Sequence, residues 1–487
     1  MPRREGAYRV YLGAAVVLVA VAPVARMLLL VLLEPASIAW LVSPDFAVRL
    51  RLIAAAVLPL ALLLGTVRGP VRLTPFQVVT MASNHLPRRV SLWRPFLKSL
   101  LLAGGATAVL AALPAVALVA AGGASALAAT SCVAACVALS CTGVVARLAG
   151  QVVGTGRAWQ LAALALLVGL SPFGIGASIA AAWQGLAGGA IADGALLAML
   201  SMVVVASVSV ALAPRLLDRV RGDVLLLHAR RRESAAMSFA SGEISGALSA
   251  YREAPSTGRS LRAVVGGPRV LAMLLRDAVG ALRTPQRTAL GVLGLSLAAL
   301  CVSTAAGAAV ALGSAPAVGV VAAVGAVALF ASLGSFADGF RHAADAAAGA
   351  DIFGTPVAEQ FLLHAAFPVA IVLVVVGAAS LLSGGGLAPV LVGLAAVAAR
   401  AYESARGHLP PLLLTPMPSE LGDLSVVARL AWQFDSLIIA SGLGVAITLL
   451  CAFGLPSLAL LLLAAAALVL AFATKRRLHY SRGERTS

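Results

Sequence analysis

The chain runs to 487 residues, of which 61% are hydrophobic and only 11% charged, where a soluble globular chain carries about 25% charged residues. That composition excludes a soluble protein, and the lack of alternating polar and apolar residues excludes a closed transmembrane barrel. The net charge of +17, from 36 Lys+Arg against 19 Asp+Glu, fits nucleic acid, anionic lipid or membrane topology until the charges are placed.

A spanning helix needs roughly 20 mainly apolar residues. Apolar runs approach that length near residues 10–33, 52–67, 99–120, 125–146, 158–178, 194–213, 288–312, 316–336, 361–383, 386–399, 436–454 and 457–473. The expected fold is all-α: a polytopic helical membrane protein of about 12 transmembrane helices in two six-helix halves, with cytoplasmic interface helices. The 47 glycines suit close helix packing through small residues. Met1 to Met27 has the look of a signal peptide, with Arg3 and Arg4 ahead of an apolar stretch. The stretch continues through Leu33, which favours a retained first span. The five cysteines all lie inside apolar runs, without metal-ligand spacing, and read as packing residues.

The longest polar segment sets the domain organisation: a first transmembrane half over residues 1–213, a cytoplasmic linker over 214–287, a second half over 288–474 and a basic tail over 475–487. In the linker, Pro268 is suited to open a helix whose Leu271, Leu274, Leu275, Ala278, Val279 and Leu282 share one face, as an interfacial helix would. Phe239 to Tyr251 carries a weaker pattern of the same kind. With both termini inside, all the Lys and Arg except Arg26, Arg49 and Arg51 fall in cytoplasmic tails and loops, so topology accounts for the charge and no nucleic acid is needed. External loops such as Gly122 to Ala124 are too short to fold. A faint repeat supports the division into halves: Thr74-Pro75 precedes the third span and Thr355-Pro356 the ninth, each a sensible helix cap and first turn.

No GxxxxGK[ST], HExxH or GxSxG motif occurs, so neither ATP hydrolysis by a P-loop nor common hydrolase chemistry is expected of this chain. Within the apolar runs the one charged side chain is Arg26, a candidate for an anionic headgroup or substrate, and there is no carboxylate. That disfavours an ion-coupled carrier. Asp338, His342 and Asp345 share a helix face and form the weak metal candidate; a solvated helix end between the eighth and ninth spans is the preferred reading. His364 reads as a hydrogen-bonded packing residue.

Two cytoplasmic loops are too patterned to be spacers. The first runs Gly69-Pro70, Leu73-Thr74-Pro75, an apolar helix, Pro87-Arg88-Arg89 and Leu92-Trp93-Arg94-Pro95; the second runs Thr415-Pro416, Gly422-Asp423-Leu424 and Ala431-Trp432-Gln433. Both place short amphipathic helices beside apolar and basic residues, where a transporter without its own motor would dock one, or where lipid alone would anchor them. Candidate docking residues are Thr74, Pro75, Arg88, Arg89, Arg94, Thr415, Pro416, Asp423 and Trp432.

These loops, with the helix ending in Arg283-Thr284-Pro285 ahead of the seventh span, resemble the permease subunits of type 2 ABC exporters. More narrowly, the chain is similar to a permease-like membrane protein family of high-GC Gram-positive bacteria. Met81 to His85 departs from that pattern, standing where a tryptophan followed by leucines is expected. The resemblance implies a subunit of the bacterial cell membrane, not itself an enzyme, paired with a separate P-loop ATPase, two copies of which would carry ATP and Mg. A homodimer of this chain is a further option. The expected function is export of an apolar or amphipathic substrate. The rivals are a noncatalytic membrane scaffold or assembly factor, and a metal-dependent enzyme acting on a lipid-linked substrate.

Overall fold

Prolines and glycines punctuate the chain into helices, and the first three follow each other with almost no linker. The computed structural model describes residues 22–82, 86–188, 193–240, 250–251, 257–258, 260–263, 266–312, 315–347, 356–407, 410, 413, 415–420 and 422–486, with isolated positions 8 and 11. Helix α1 spans Ala22–Leu32, α2 Pro35–Val42 and α3 Pro44–Val67. Pro35 and Pro44 each open a helix, where the missing N–H costs nothing. Ser43 closes α2 by donating to the Trp40 carbonyl at 2.7 Å and caps α3 by accepting from the Phe46 N–H at 3.3 Å.

The first half continues with α4 Pro75–Ala82, α5 Arg88–Ser91, α6 Trp93–Ala120, α7 Ala126–Val153, α8 Thr155–Leu170, α9 Ile175–Ala187 and α10 Asp193–Arg219. Helix α11, Gly222–Ala240, occupies much of the linker and has no counterpart in the sequence reading. Phe239 to Tyr251 falls largely outside the described residues. Helix α12, Arg269–Leu282, follows Pro268, which sits just ahead of the helix and not in its first turn. It keeps Leu271 and Leu282 exposed, as an interfacial helix does.

The second half comprises α13 Pro285–Leu312, α14 Ala315–Leu333, α15 Asp338–Ala347, α16 Val357–Ile371, a π turn at Val372–Val376, α17 Gly377–Ser383, α18 Ala388–Ser404, α19 Ser425–Ala452 and α20 Pro456–Thr486. Ahead of α19, strands β1 Pro418–Ser419 and β2 Gly422–Asp423 pair antiparallel. The chain is a polytopic helical membrane protein. Among the described residues, nine helical segments are long and apolar enough to cross a bilayer, or ten if α14 and α15, which meet at a 64° bend, form one broken span.

With the bent α14–α15 pair standing for the eighth run, two of the twelve expected runs account for the difference. The first is described only from residue 22, where α1 has 11 residues. The tenth is α18, whose 17 residues are largely buried, so it works as a core helix shorter than the roughly 20 residues a span needs. Several spans also begin earlier than the apolar runs, among them Trp93–Ala120 with Arg94 and Lys98, Pro285–Gly307 with Arg287, and Val357–Ser383 with Glu359. The second span starts at Pro44, taking in Asp45, Arg49 and Arg51, and the penultimate one at Val427, taking in Arg429 and Asp435. The expectation of one charge and no carboxylate inside the spans is corrected accordingly. Thr74-Pro75 starts the eight-residue α4 and Pro356 precedes a spanning segment, while Thr355 lies outside the described residues.

Small residues bring α3 and α7 close. A Cβ on Gly65 would stand 2.0 Å from the Arg147 carbonyl oxygen, and one on Gly150 2.0 Å from that of Leu62. Helices α3, α7 and α13 are the most enclosed spans, each 44% buried, against 17% for α10 and α20. The first three therefore line the interior and the last two face outward. The two parts of the chain meet chiefly where α3 packs along α13.

Candidate functional site

The first loop folds onto the ends of the spans. Thr74 and Gln77 form a reciprocal capping box: Gln77 N–H donates to the Thr74 hydroxyl at 3.2 Å, and Thr74 N–H to Gln77 Oε1 at 3.0 Å. Pro75 opens the helix behind that cap. Leu73, Val78 and Phe96 are buried against Leu148 of α7, Leu217 of α10 and Leu225 of α11. Arg88 donates to the Val220 carbonyl. Arg89 donates its backbone N–H to Asp218 at 2.8 Å, its guanidinium 3.8 Å from the same carboxylate, while Arg94 is exposed. What this platform presents outward is apolar: Phe76 is 77% exposed, beside exposed Val79, Leu86 and Val90.

In the second loop Thr415 and Pro416 are exposed. Asp423 holds the turn into α19, accepting from the Met417 N–H at 2.9 Å, the Ser425 N–H at 2.9 Å and the Ser425 hydroxyl at 2.8 Å. Those bonds hold its carboxyl below the usual carboxylate range, the Met417 and Ser425 amides first. Trp432 lies 5.4 Å from the Arg406 guanidinium, which donates to Asp435 at 2.6 Å and to the Gln433 carbonyl at 2.6 Å. Arg477 pairs with Asp435 and stacks on the Tyr402 ring at 3.7 Å.

Arg26 is exposed on α1. Asp338 pairs with Arg287, while His342 and Asp345 are exposed. Among the described residues no three His, Cys, Asp or Glu side chains gather in a way that could hold a metal ion. His364 is buried and hydrogen-bonded, its Nδ1 2.7 Å from Asp277 Oδ2. Gly339 makes room for that pair, since a Cβ there would stand 2.4 Å from the His364 nitrogen.

Sequence reasoning did not reach a polar layer that joins the two parts of the chain at the same end of the bundle. His228 of α11 is buried between α3 and α7. Its Nε2, 3.0 Å from the Thr66 carbonyl, must donate, so Nδ1 accepts from the Gly69 N–H at 3.3 Å and faces the Gln151 amide nitrogen at 3.3 Å. Burial pushes the His228 pKa down, Thr66 opposes that shift, and Arg231 and Arg147 add to it. The Thr66 hydroxyl lies 3.1 Å from Gln286 Oε1 at the start of α13. Next to it, Arg287 donates to the Gly334 carbonyl at 2.5 Å, and Arg400 to that of Phe330 at 2.8 and 2.6 Å. These two guanidiniums take up the carbonyls that end α14 at its bend. Arg51 does the same for α8, donating to the Leu170 carbonyl at 2.8 Å.

Compared with protein-family models, with curated proteins and with solved structures, the chain matches none. The functional reading therefore stands on this geometry.

Proposed function

We propose that the chain is the membrane-spanning subunit of an ABC-type exporter, with ATP hydrolysed by a separate subunit that docks on the face carrying α4 and α5. The observation that carries this reading is the platform itself. It is anchored by a capping box, a buried apolar cluster and two arginine contacts, yet it turns Phe76, Val79, Leu86 and Val90 outward next to exposed Arg72, Arg89, Arg94 and Lys98. A loop that only connected spans would need neither the anchoring nor the exposed apolar edge. The polar layer beneath it, from His228 through Thr66 and Gln286 to Arg287, offers a route by which a motor's closure could shift one part of the chain against the other.

On this reading the chain lies in the cell membrane of a bacterium as two helical halves, with both termini and the docking face in the cytoplasm. It follows the permease pattern of type 2 ABC exporters and moves an apolar or amphipathic molecule. Purification of the tagged chain from its native membrane, followed by mass spectrometry and an ATPase assay, tests it. A stoichiometric P-loop ATPase is expected; recovery of the chain without one, under lipid-preserving extraction, would favour a scaffold.

A further inference from the structure

Helices α3 and α13 run antiparallel along the seam between the two parts of the chain. At one end Thr66 meets Gln286. At the other, the Arg49 guanidinium lies against Gly307, where a Cβ would stand 3.2 Å from Nη2 and 3.3 Å from Nη1. Glycine at 307 thus permits the approach. Three other arginines at helix ends and crossings find carbonyls: Arg51 that of Leu170, Arg147 that of Arg68, Arg400 that of Phe330. Arg49 does not. Its Nη1 is buried and has no hydrogen-bond partner among the described residues, and the same holds for the hydroxyl of Thr304, one turn before Gly307 on α13. Asp45, one turn before Arg49 on α3, is exposed, and its charge reaches Arg49 through space without a hydrogen bond to it.

Gly307 also lines a cavity of about 350 Å³ bounded by Ser303, Ala306, Leu387, Ala452 and Pro456. The cavity walls carry no charged side chain: alkyl side chains alternate with Cys451, the backbone of Gly384, Gly385 and Gly386, and Ser303, whose hydroxyl already accepts from Ser383 at 2.9 Å. Two unmet polar groups thus sit on one glycine face and an uncharged cavity opens beside the same glycine. Buried donors left unmade are costly, and the planar fork of an arginine matches the oxygens of a phosphate or carboxylate.

We propose that Arg49 and Thr304 form a binding site for the phosphate or carboxylate head of an anionic ligand, with the cavity beside Gly307 receiving an apolar tail. The site stands whether or not the chain is a permease. Two probes separate its possible sources, a lipid headgroup and a free anion: dihexanoyl phosphatidic acid and inorganic phosphate, each titrated calorimetrically into the full chain in a neutral maltoside detergent.

Wild-type protein is expected to bind the short-chain phosphatidic acid, with affinity falling about tenfold in Arg49→Gln and in Thr304→Val, each of which removes a hydrogen bond to charge. Gly307→Leu, which fills the approach, abolishes binding. If inorganic phosphate binds as tightly and with the same dependence on Arg49 and Thr304, the site stands with a free anion as its ligand. If neither probe binds, or if both bind wild type and variants alike, the proposal is overturned. Should Arg49→Gln aggregate, the near-isosteric Thr304→Val decides alone, and unchanged affinity in that variant overturns the site.

Discussion

His228 is a neutral side chain by construction. Its Nε2 must donate to the Thr66 carbonyl and its Nδ1 must accept from Gly69, so a second ring proton would face an N–H and break the junction. Because the folded pKa is lowered from 6.5, the unfolded chain binds the proton more readily. The stabilisation from this residue is therefore fully present above about pH 6.5 and is lost as pH falls through that value toward the folded pKa. Thermal unfolding in detergent is expected to show a lower Tm at pH 5 than at pH 8, with the difference reduced in His228→Gln. A pH response identical in the variant would assign the effect elsewhere. Gly150 makes a second residue-scale test. Since its Cβ would stand 2.0 Å from a backbone oxygen, Gly150→Leu must part α3 from α7 and should cost about 3 kcal/mol, read as a drop in Tm, while Gly105→Leu, in open space, should change little. Neither residue announces itself in the sequence. His228 lies 162 positions from Thr66, and a contact of that range leaves no local pattern to read.

At the scale of elements, apolar runs locate most of the long helices because a bilayer demands length and hydropathy from each span. What they miss has a physical cause. The charges at Arg49 and Arg51 hide the first turns of α3, yet Arg51 belongs in the fold because it takes up the carbonyl freed where α8 breaks. The 64° bend after α14, at Gly334 to Ala337, is not fixed by the local sequence alone, since the carbonyls it frees are taken up by Arg287 and Arg400 arriving from other helices. The four-residue spacing that makes Asp338 and His342 look like ligands instead places Asp338 against Arg287. Arg400 is 8% exposed and shares its charge with Glu403 at 2.5 Å. Arg400→Met would strand that carboxylate and two helix-end carbonyls, and a loss of about 3 kcal/mol is expected. Arg94→Ala, at an exposed arginine, should be within about 0.5 kcal/mol of wild type in the same assay. A smaller drop in Tm than for Arg400→Met is expected for Asp423→Ala, which frees the Met417 and Ser425 amides in the turn leading into α19.

For the whole molecule, the basic excess and the apolar spans describe one fact from two sides. The charge of +17 gathers at the helix ends and loops, and part of it is spent internally on carbonyls and carboxylates, as at Arg88, Arg287, Arg400, Arg406 and Arg477. The docking residues read from the sequence divide the same way: Thr74, Arg88 and Asp423 hold the fold, whereas Phe76 and Val79, which the sequence reading passed over as part of an apolar helix, form the exposed edge. Exposure of an apolar side chain depends on what the rest of the chain covers, and residue type alone does not carry it. The central claim is that this edge receives a motor subunit. The most direct test introduces Phe76→Glu with Val79→Glu into the tagged chain and measures the ATPase recovered from native membranes at equal abundance of the chain. The account predicts that the ATPase co-purifies with wild type and falls about tenfold or more with the double variant, as expected for charge placed in an interface core. Full recovery of the ATPase with the double variant would contradict it.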